Sequence, residues 1–240
     1  MHRFFAAPND IFGGMVRLSN ENMNHIRVLR LRPAELFVIC DGAGLDHVCR
    51  LVSQGDSAAE IIETRPSQGE PSISCSIYLA LAKGDSLDYS VQKSVELGAK
   101  DIILFPSARS IAISADMTKK TARLQRIALE AAKQSGRGAI PGVSAMNSYE
   151  EAVRHAASAG LPLFLYEDEK ELRLKEVLES HADAQTVSIF IGPEGGFDPF
   201  EAETAKSAGM LSVTLGSRIL RCETAPVAAL AAIMYHTDNI

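Results

Sequence analysis

Two glycine-bearing segments, about 20 residues apart, carry the side chains best suited to chemistry. The first glycine segment is Ile-Gly-Pro-Glu-Gly-Gly-Phe (Ile191–Phe197), and the second is Leu-Gly-Ser-Arg-Ile-Leu-Arg-Cys-Glu-Thr-Ala-Pro (Leu215–Pro226). In the second segment, Arg218 and Arg221 could hold a phosphate or orient a base, and Glu223 could bind a hydroxyl group or balance a positive charge. Alternatively, Arg221 and Glu223 form only a salt bridge with each other.

The first glycine segment leads into a helix whose start is well specified. Asp198 can cap this helix, Pro199 fits its first position and Glu201 completes a capping box. A helix N-terminus after a glycine loop often binds phosphate. Here, however, acidic residues crowd the terminus, and there is no Gly-Lys-Ser/Thr motif. These acidic residues are Glu194, Asp198, Glu201 and Glu203. An anionic ligand would be repelled, whereas a cationic or neutral one would be tolerated.

An apolar run precedes each glycine segment and predicts the strand that positions it. Val187–Ile191 and Met210–Leu215 are typical of buried strands in a parallel sheet. The glycine segments then leave the carboxyl ends of these strands, where open α/β sheets bind their ligands. The two segments therefore predict one ligand pocket.

From Ile73 onward, strands alternate with helices, which predicts an α/β domain with a parallel sheet and helices on both faces. Strands are expected at about 73–81, 101–105, 161–166, 187–191 and 210–215. Helices are expected at about 85–97, 118–135, 148–159, 172–180, 199–208 and 223–237.

The N-terminal part has a different pattern, because short apolar runs alternate with turn residues. Several short strands at this spacing predict a small β-rich barrel or sandwich. Residues 65–72 contain two prolines, a glycine and polar residues, as is typical of a linker. The sequence thus predicts two domains, residues 1–68 and residues 73–240.

Composition excludes several protein classes. The chain has 240 residues, of which 46% are hydrophobic, as expected of a globular protein with a full core. Its four cysteines form no C-x-x-C pair, so we expect neither a disulfide framework nor a metal site. The first residues lack the apolar core of a signal peptide, and the longest apolar run, Ala225–Tyr235, is shorter than the roughly 20 residues of a membrane span. We therefore expect a cytoplasmic protein without a membrane partner.

The charge is unevenly distributed along the chain. The net charge is −6, yet residues 1–32 hold five arginines against two acids, and residues 117–140 hold six bases against one acid. Residues 149–183, by contrast, hold nine acids and four bases. Two basic zones fit a protein that binds a polyanion on one side. The alternative is that these zones are only solvated faces.

Several short motifs, in this order and spacing, resemble the bacterial 16S ribosomal RNA uridine-N3 methyltransferases, a family in the SPOUT superfamily. The resemblance covers nearly the whole chain. The motifs are Arg3–Phe5, His25–Arg30, Lys83–Asp85, Gln92–Gly98, Gln134–Arg137, Gly192–Gly196 and Leu215–Arg221.

This resemblance implies an α/β fold with a trefoil-knotted, parallel-sheet methyltransferase domain after a small PUA-like β-barrel that binds RNA. Such knots are rare exceptions to the rule that chains do not thread loops. It also implies a homodimer, S-adenosyl-L-methionine as cofactor, no metal, and 16S rRNA of the small ribosomal subunit as substrate.

The resemblance further implies three sets of site residues. The cofactor-binding set is Leu165, Ile191, Gly192, Pro193, Glu194, Gly195, Gly196, Leu215, Gly216, Ile219, Leu220, Thr224 and Ala225. The RNA-binding set is Arg3, His25, Arg27, Arg30, Arg32, Arg109, Lys119, Lys120, Arg123 and Arg137. The candidate catalytic residues are Arg221, as stabiliser of negative charge on the uracil ring, and Glu223, Lys93 and Glu96, which could orient the ring or accept its proton.

Two positions depart from the family pattern. Cys222 stands where the family usually has Thr, and Ala108 stands where an acid often precedes Arg109-Ser110. Cys is close to Thr in size, so we expect the fold to be kept. Ala108 lacks a carboxylate, so no general base is assigned there.

Methyl transfer to uridine N3 needs the donor and acceptor held in line and one proton removed. The N3 atom is accessible only in an unpaired base, so extruded or single-stranded RNA is the expected substrate. Other possibilities are a ribose 2′-hydroxyl methyltransferase of the same superfamily, a non-catalytic RNA-binding protein, and a nucleotide-binding enzyme, which the acidic helix terminus disfavours.

Overall fold

The structure is a computed structural model that describes residues 1–53, 57–82, 85–110 and 117–240. Its Cα positions divide into two compact units. Unit 1 comprises residues 1–70 and 132–140, and unit 2 comprises residues 71–131 and 141–240. Residues 132–140 thus belong to unit 1, although the predicted second domain, 73–240, includes them. Lys83 and Gly84, two residues of the Lys83–Asp85 motif, lie outside the described residues.

Unit 1 is built on a mixed six-stranded sheet. Its elements are β1 (Arg3–Phe5), a short 3₁₀ helix (Pro8–Asp10), β2 (Ile11–Phe12), β3 (Met15–Arg17), α1 (Asn20–Val28), β4 (Leu36–Cys40), β5 (Leu45–Leu51) and β6 (Ala58–Pro66). The strand order is β1-β4-β5-β6-β3-β2, with β1 parallel to β4 and the other pairs antiparallel. This confirms the predicted β-rich N-terminal part. β1 and β2 were not predicted, because runs of two or three residues are too short to show a period.

A carboxylate holds the end of unit 1 together. Glu70 accepts hydrogen bonds from the guanidinium of Arg137, at 2.6 Å from Nη2, and from the amides of Gly138 and Ala139 at 2.9 and 3.0 Å. These contacts place residues 137–139 in unit 1. The predicted linker at 65–72 is therefore partly structured, since β6 also runs through Pro66.

Unit 2 contains a six-stranded sheet in which every pair is parallel, as predicted. Its elements are β7 (Ser74–Ala80), α2 (Ser86–Glu96), β8 (Asp101–Phe105), α3 (Met117–Ser135, whose last residues belong to unit 1), β9 (Gly142–Ala145), α4 (Tyr149–Ala156), β10 (Leu161–Leu165), α5 (Leu174–Ser180), β11 (Thr186–Ile191), α6 (Pro199–Ser207), β12 (Leu211–Val213) and α7 (Thr224–His236). The order is β12-β10-β11-β7-β8-β9. β9 was missed, because Gly-Val-Ser-Ala is not an apolar run.

Both faces of this sheet are covered. On one face, an aromatic cluster of Tyr78, Phe105, Phe164 and Phe190 packs against α4 and α6. The alternate strand residues, such as Ile77 and Ile189, are also fully buried, and α7 contacts β11. Side chains of successive strand residues point to opposite faces, so burial of both sets requires cover on both sides.

The register of the strands aligns their carboxyl ends. Ile191, the last residue of β11, pairs with Leu79 of β7 and with Leu165 of β10, and Leu165 pairs with Val213 of β12. These residues form one row, so the segments that follow β10, β11 and β12 leave the same edge of the sheet. None of the helices in the described parts of the chain is long and apolar enough to cross a membrane.

Candidate functional site

The two glycine segments meet at this edge of unit 2. Ile191 and Gly192 from the first segment and Cys222 from the second line one small cavity of about 10 Å³, together with the end of β7 and the first turns of α2. The carboxylates of Glu194 and Glu223 both raise the pKa of the Cys222 thiol. The predicted convergence of the two segments is therefore present in the structure, although a space of this size could hold at most about one water molecule.

The backbone of the first segment requires glycine at position 196. Gly196 has a φ of +69°, which side chains rarely adopt, and its amide closes a turn by donating to the Pro193 carbonyl at 3.0 Å. A Cβ atom at this position would lie 1.7 Å from Oε1 of Glu167. A side chain here would therefore be strained by the positive φ, and it would also displace the Glu167 carboxylate.

Charged side chains hold the first segment on two sides. On one side, the Phe197 amide donates to Oε1 of Glu167, which follows β10, at 3.0 Å. On the other side, Nη1 of Arg109, which follows β8, donates to the Gly195 carbonyl at 3.0 Å. Nη2 of Arg109 also lies 3.6 Å from a carboxylate oxygen of Asp198. The segment thus has specific partners among the residues that follow two other strands.

Glu201 connects the start of α6 to the loop that carries Arg109. Its buried carboxylate accepts from the Asp198 amide at 3.0 Å, from the Ser107 hydroxyl at 3.0 Å and from the Ala108 amide at 2.8 Å. The first bond is half of the predicted capping box, which is confirmed. Ala108 contributes its main-chain amide, which any residue but proline supplies.

The second segment, by contrast, is largely exposed. The side chain of Arg221 is 85% exposed, and its Nη1 lies 3.8 Å from Glu223, beyond hydrogen-bonding distance. Ile219 is also 85% exposed, although it is apolar. Gly216 has a φ of +124°, and a Cβ atom there would have no neighbour within 4 Å. In the described residues, the hydroxyl of the adjacent Thr214, and not a side chain from another strand, bonds Gly216, at 3.1 Å from its carbonyl and 3.2 Å from its amide.

Cys222 of the second segment lines the small cavity where the two segments meet. Burial, followed by the nearby carboxylates of Glu223 and Glu194, raises the pKa of its thiol to about 12. The thiol donates to Glu223 at 3.3 Å. The thiol is therefore neutral near pH 7, and it serves as a weak donor, as a Thr hydroxyl could.

The end of the second segment turns into α7. The Arg221 carbonyl accepts the amides of Thr224 and Ala225, both at 2.9 Å. These two predicted cofactor residues thus begin the last helix, directly after Arg221 and Glu223.

Lys93 and Glu96 lie further along α2. The Lys93 ammonium binds both carboxylate oxygens of Glu96 at 2.8 Å. The residues of α2 that line the small cavity between the segments are Ser86, Leu87 and Ser90. At 1.5 Å per residue, Glu96 is about 9 Å beyond Ser90 along the helix axis. The Lys93–Glu96 pair is thus set back from the edge where the segments meet.

Some predicted RNA-binding residues have internal partners. Arg3 binds the buried Asp46 at 2.6 Å, and Arg137, whose side chain is 5% exposed, binds Glu70. In unit 2, Arg123 on α3 pairs with Asp88 of α2. On the same helix, burial is the main cause that lowers the pKa of Lys120.

Other predicted RNA-binding residues are exposed at the end of α1. They are His25, Arg27, Arg30 and Arg32. Arg30 has a φ of +55°, and its amide donates to the Arg27 carbonyl at 3.1 Å, so it occupies the position after a helix where glycine is preferred. The three arginines of this group give unit 1 an exposed cationic surface at the end of α1.

A second cavity, of about 360 Å³, lies beside Glu201 in unit 2. Its lining residues are Pro106, Ser107, Ala108, Asn147, Ser148, Tyr149, Glu150, Phe200, Glu201 and Thr204. No predicted site residue lines it, so it is separate from the meeting point of the glycine segments.

Comparison with known protein families agrees with this arrangement. The RNA methyltransferase domain family matches residues 69–234, which is more than half of the chain. The chain belongs to this family. The RNA methyltransferase PUA domain family also matches residues 18–64, within unit 1. In this RNA methyltransferase, the family's PUA domain therefore precedes the parallel-sheet domain, in the order that the sequence predicts.

Individual relatives cover nearly the whole RNA methyltransferase chain. The chain is 35% identical to the ribosomal RNA small subunit methyltransferase E of Mesomycoplasma hyopneumoniae over 95% of this chain and 96% of that protein. The corresponding protein of Bacillus subtilis is 32% identical over 92% and 90%. The crystal structure of the Neisseria gonorrhoeae protein of this name, bound to S-adenosyl methionine, has a TM-score of 0.85 and 34% identity, covering 98% and 97% of the two chains.

Two residues next to the site were not among the predicted site residues. Glu201 is recognisable in the sequence as a capping-box residue, but its bonds to Ser107 and Ala108 span more than 90 positions. Glu167 lies in an acidic run with no motif around it. Local patterns do not identify such contacts, because they depend on which strands are neighbours in the sheet.

Proposed function

We propose that this protein methylates N3 of a specific uridine in 16S rRNA of the small ribosomal subunit, with S-adenosyl-L-methionine as the methyl donor. The observation that carries this proposal is the meeting of the two glycine segments at the carboxyl edge of a parallel sheet, in a chain of the RNA methyltransferase family. The S-adenosyl methionine-bound relative and the names of the curated relatives support the choice of cofactor and substrate. A cytoplasmic location is part of the proposal, because ribosomal RNA is methylated where ribosomes assemble.

The residues of the two segments fit a cofactor with an adenine, a ribose and a positive charge. Exposed apolar side chains such as Ile219 are suited to cover a flat ring. The main chain of 192–196 can approach a ligand closely, because it carries glycines at 192, 195 and 196. Glu194 and Glu223 make the local potential negative, which favours a cation over a phosphate. Leu165, Leu215, Leu220 and the start of α7 would complete the enclosure.

S-adenosyl-L-methionine, when bound, supplies a methyl group that is activated by its positive sulfur. The protein must then hold the uracil ring in line with the methyl group and remove the N3 proton. Arg221 is exposed and only loosely associated with Glu223, so its guanidinium can turn toward a base and stabilise negative charge on the ring. Glu223 is the better-placed acceptor for the N3 proton, because Glu96 is held by Lys93 further along α2.

The exposed arginines at the end of α1, Arg27, Arg30 and Arg32, are proposed to contact RNA phosphates together with the His25 imidazole. Phosphate contacts fix the register of a protein on its nucleic acid and make binding depend on salt. Arg3 and Arg137 have internal carboxylate partners, so we assign them to the stability of unit 1 instead. On α3, Lys119, Lys120 and Arg123 form a second proposed contact zone, since the Arg123 side chain stays 55% exposed in its pair with Asp88.

A homodimer is also part of the proposal. α7 is apolar nearly all round, and the face away from its buried residues still carries Val227, Ala228, Ala231 and the exposed Tyr235. A helix that is hydrophobic on all sides is normally buried. A second copy of the chain would cover this face. Sedimentation equilibrium on the purified protein tests this part, and a monomer at micromolar concentration would contradict it.

The decisive experiment is mass spectrometry of nucleosides from 16S rRNA, in a strain that lacks the gene and in the same strain with the gene restored. We expect 3-methyluridine to disappear and to return. A missing ribose 2′-O-methyl nucleotide would instead identify the other reaction, and unchanged rRNA together with no binding of S-adenosyl-L-methionine would favour a non-catalytic RNA-binding protein. Incubating the purified protein with free rRNA and with small subunits from the deletion strain then identifies the form of the substrate.

A further inference from the structure

The first glycine segment has a backbone that glycine makes flexible, yet a cofactor site needs that backbone in one conformation. Glycine loses more conformational freedom on ordering than any other residue, so an unsupported segment of this kind would weaken ligand binding. Gly192, Gly195 and Gly196 all lie within five residues. Contacts that order the segment before the ligand arrives would therefore increase affinity.

Two side chains supply such contacts from opposite sides. The strand order β10-β11-β7-β8 places β10 on one side of β11, and β7 and β8 on the other. Glu167 follows β10 and accepts the Phe197 amide at 3.0 Å. Arg109 follows β8 and donates to the Gly195 carbonyl at 3.0 Å. The carboxylate of Glu167 also fills the space that a side chain at Gly196 would need.

The loop that carries Arg109 is itself anchored. Glu201 accepts the Ser107 hydroxyl and the Ala108 amide, and the Ser107 amide donates to the Ser110 hydroxyl at 3.2 Å. Tyr149 donates to the carbonyl of Glu201 at 2.7 Å, from inside the aromatic core. Arg109 is thus supported by buried groups, whereas Glu167 lies on the surface, where its replacement should leave the fold intact.

We propose that Glu167 and Arg109 are positioning residues, which clamp the main chain of the first glycine segment for cofactor binding. This inference rests on the proposed function, since it takes S-adenosyl-L-methionine as the ligand. Both residues act through the main chain at Gly195 and Phe197. Arg109 thereby has a role other than RNA binding. The RNA-binding role was implied for it by the resemblance alone.

The test uses the full-length protein and four variants, Glu167→Ala, Glu167→Gln, Glu171→Ala and Arg109→Ala. The Gln side chain can still accept from the Phe197 amide. Glu171→Ala removes the same charge from the same exposed run and serves as the matched control. Calorimetry measures the affinity for S-adenosyl-L-methionine, and hydrogen exchange without ligand measures protection of the amides in 192–198.

We expect Glu167→Ala to weaken cofactor binding about tenfold, as for loss of one charge-assisted hydrogen bond, and to speed exchange of the Phe197 amide. Glu167→Gln should restore most of both, and Glu171→Ala should match the wild type. Arg109→Ala should weaken cofactor binding in the same way, while the salt dependence of RNA binding stays unchanged.

Wild-type affinity and wild-type exchange in Glu167→Ala would overturn the clamp, as would an equal loss in Glu167→Gln, because charge and not the hydrogen bond would then be responsible. If the wild-type protein itself failed to bind S-adenosyl-L-methionine, the proposed function would be wrong and the clamp's assigned role would be overturned with it. The two failures are therefore distinguishable in one series of titrations.

Discussion

The two glycine segments follow strands of the same sheet but are held very differently. The first has side-chain partners from two other parts of unit 2, Glu167 and Arg109, and the buried Glu201 anchors the loop that carries Arg109. The second exposes Arg221 and Ile219 almost completely. We propose that the preformed first segment receives the cofactor, and that the open second segment covers the cofactor and presents Arg221 to the RNA base. Both segments leave the same edge of the sheet, so the contrast arises from side-chain contacts and not from the fold.

The largest expected effect tests the chemistry of the open segment. Replacing Arg221 by Ala should lower the rate of methyl transfer by on the order of 10²–10³-fold, because a donor to the charged uracil ring is lost. Binding of S-adenosyl-L-methionine should stay close to wild type. Steady-state kinetics with undermethylated small subunits, together with calorimetry, measure the two quantities. Arg218→Ala removes the same charge from the same segment and is the control; equal effects from both variants would contradict a specific role for Arg221.

Unit 1 shows the same contrast between a buried, paired arginine, Arg137, and an exposed one, Arg30. Arg137→Ala should lower the free energy of unfolding by about 3 kcal/mol, because it leaves the Glu70 carboxylate without its buried partner. Arg30→Gly should instead leave the free energy of unfolding unchanged or raise it by up to about 1 kcal/mol, since glycine adopts a positive φ without strain. Chemical denaturation checks both values.

RNA binding should depend more on the exposed Arg30 than on the buried Arg137. Arg30→Gly should weaken binding and reduce its salt dependence by about one counterion. Filter binding at several salt concentrations measures this. If Arg30→Gly bound RNA like the wild type, the end of α1 would not be a phosphate contact.

A smaller effect separates steric fit from backbone strain in the held segment. Gly196→Ala combines a positive φ with overlap on Glu167, and should cost about 2 kcal/mol in stability or cofactor binding. Gly216→Ala in the open segment and Gly209→Ala elsewhere have positive φ but no neighbour within 4 Å, so strain alone should cost about 1 kcal/mol. Thermal unfolding and calorimetry compare the three variants. Equal losses of stability and affinity would show that the first segment is packed no more closely than the second.

The smallest effect concerns Cys222 of the second segment, which lines the cavity where the two segments meet. Burial, together with Glu223 and Glu194, raises the pKa of this thiol to about 12, so it should react slowly with iodoacetamide at pH 8. Glu223→Gln should speed the reaction a few-fold by removing one of the nearby charges. Peptide mass spectrometry after timed alkylation measures the rate.

The raised pKa of Cys222 also predicts the direction in which stability changes with pH. An unfolded thiol ionises near pH 8.5, whereas the folded one stays neutral up to about pH 12. The unfolded state therefore binds fewer protons in this window, and stability should fall as the pH rises through it. The buried thiols of Cys40, Cys49 and Cys75 act in the same direction. A melting temperature that did not fall between pH 9 and 11 would contradict this.

Much of unit 2 could be predicted from local patterns. The apolar runs before Gly192 and Leu215 are strands, and Asp198, Pro199 and Glu201 begin a helix as predicted. Strand β9 was missed, because its small residues are placed by pairing with β8 and not by their own propensity. The trefoil knot, the dimer and the individual roles of the site residues stay predictions.

The sequence by itself determined where the glycines, the apolar strands and the helix caps lie, because these depend on residues close together in the chain. It also determined the family, through motifs whose order and spacing can be read directly. Only the tertiary structure decided that Arg137 is buried while Arg30 is exposed, and that Glu167 and Arg109 reach the first glycine segment. The physical reason is that a carboxylate finds its donors through strand order and register, which bring together residues 30 to more than 90 positions apart.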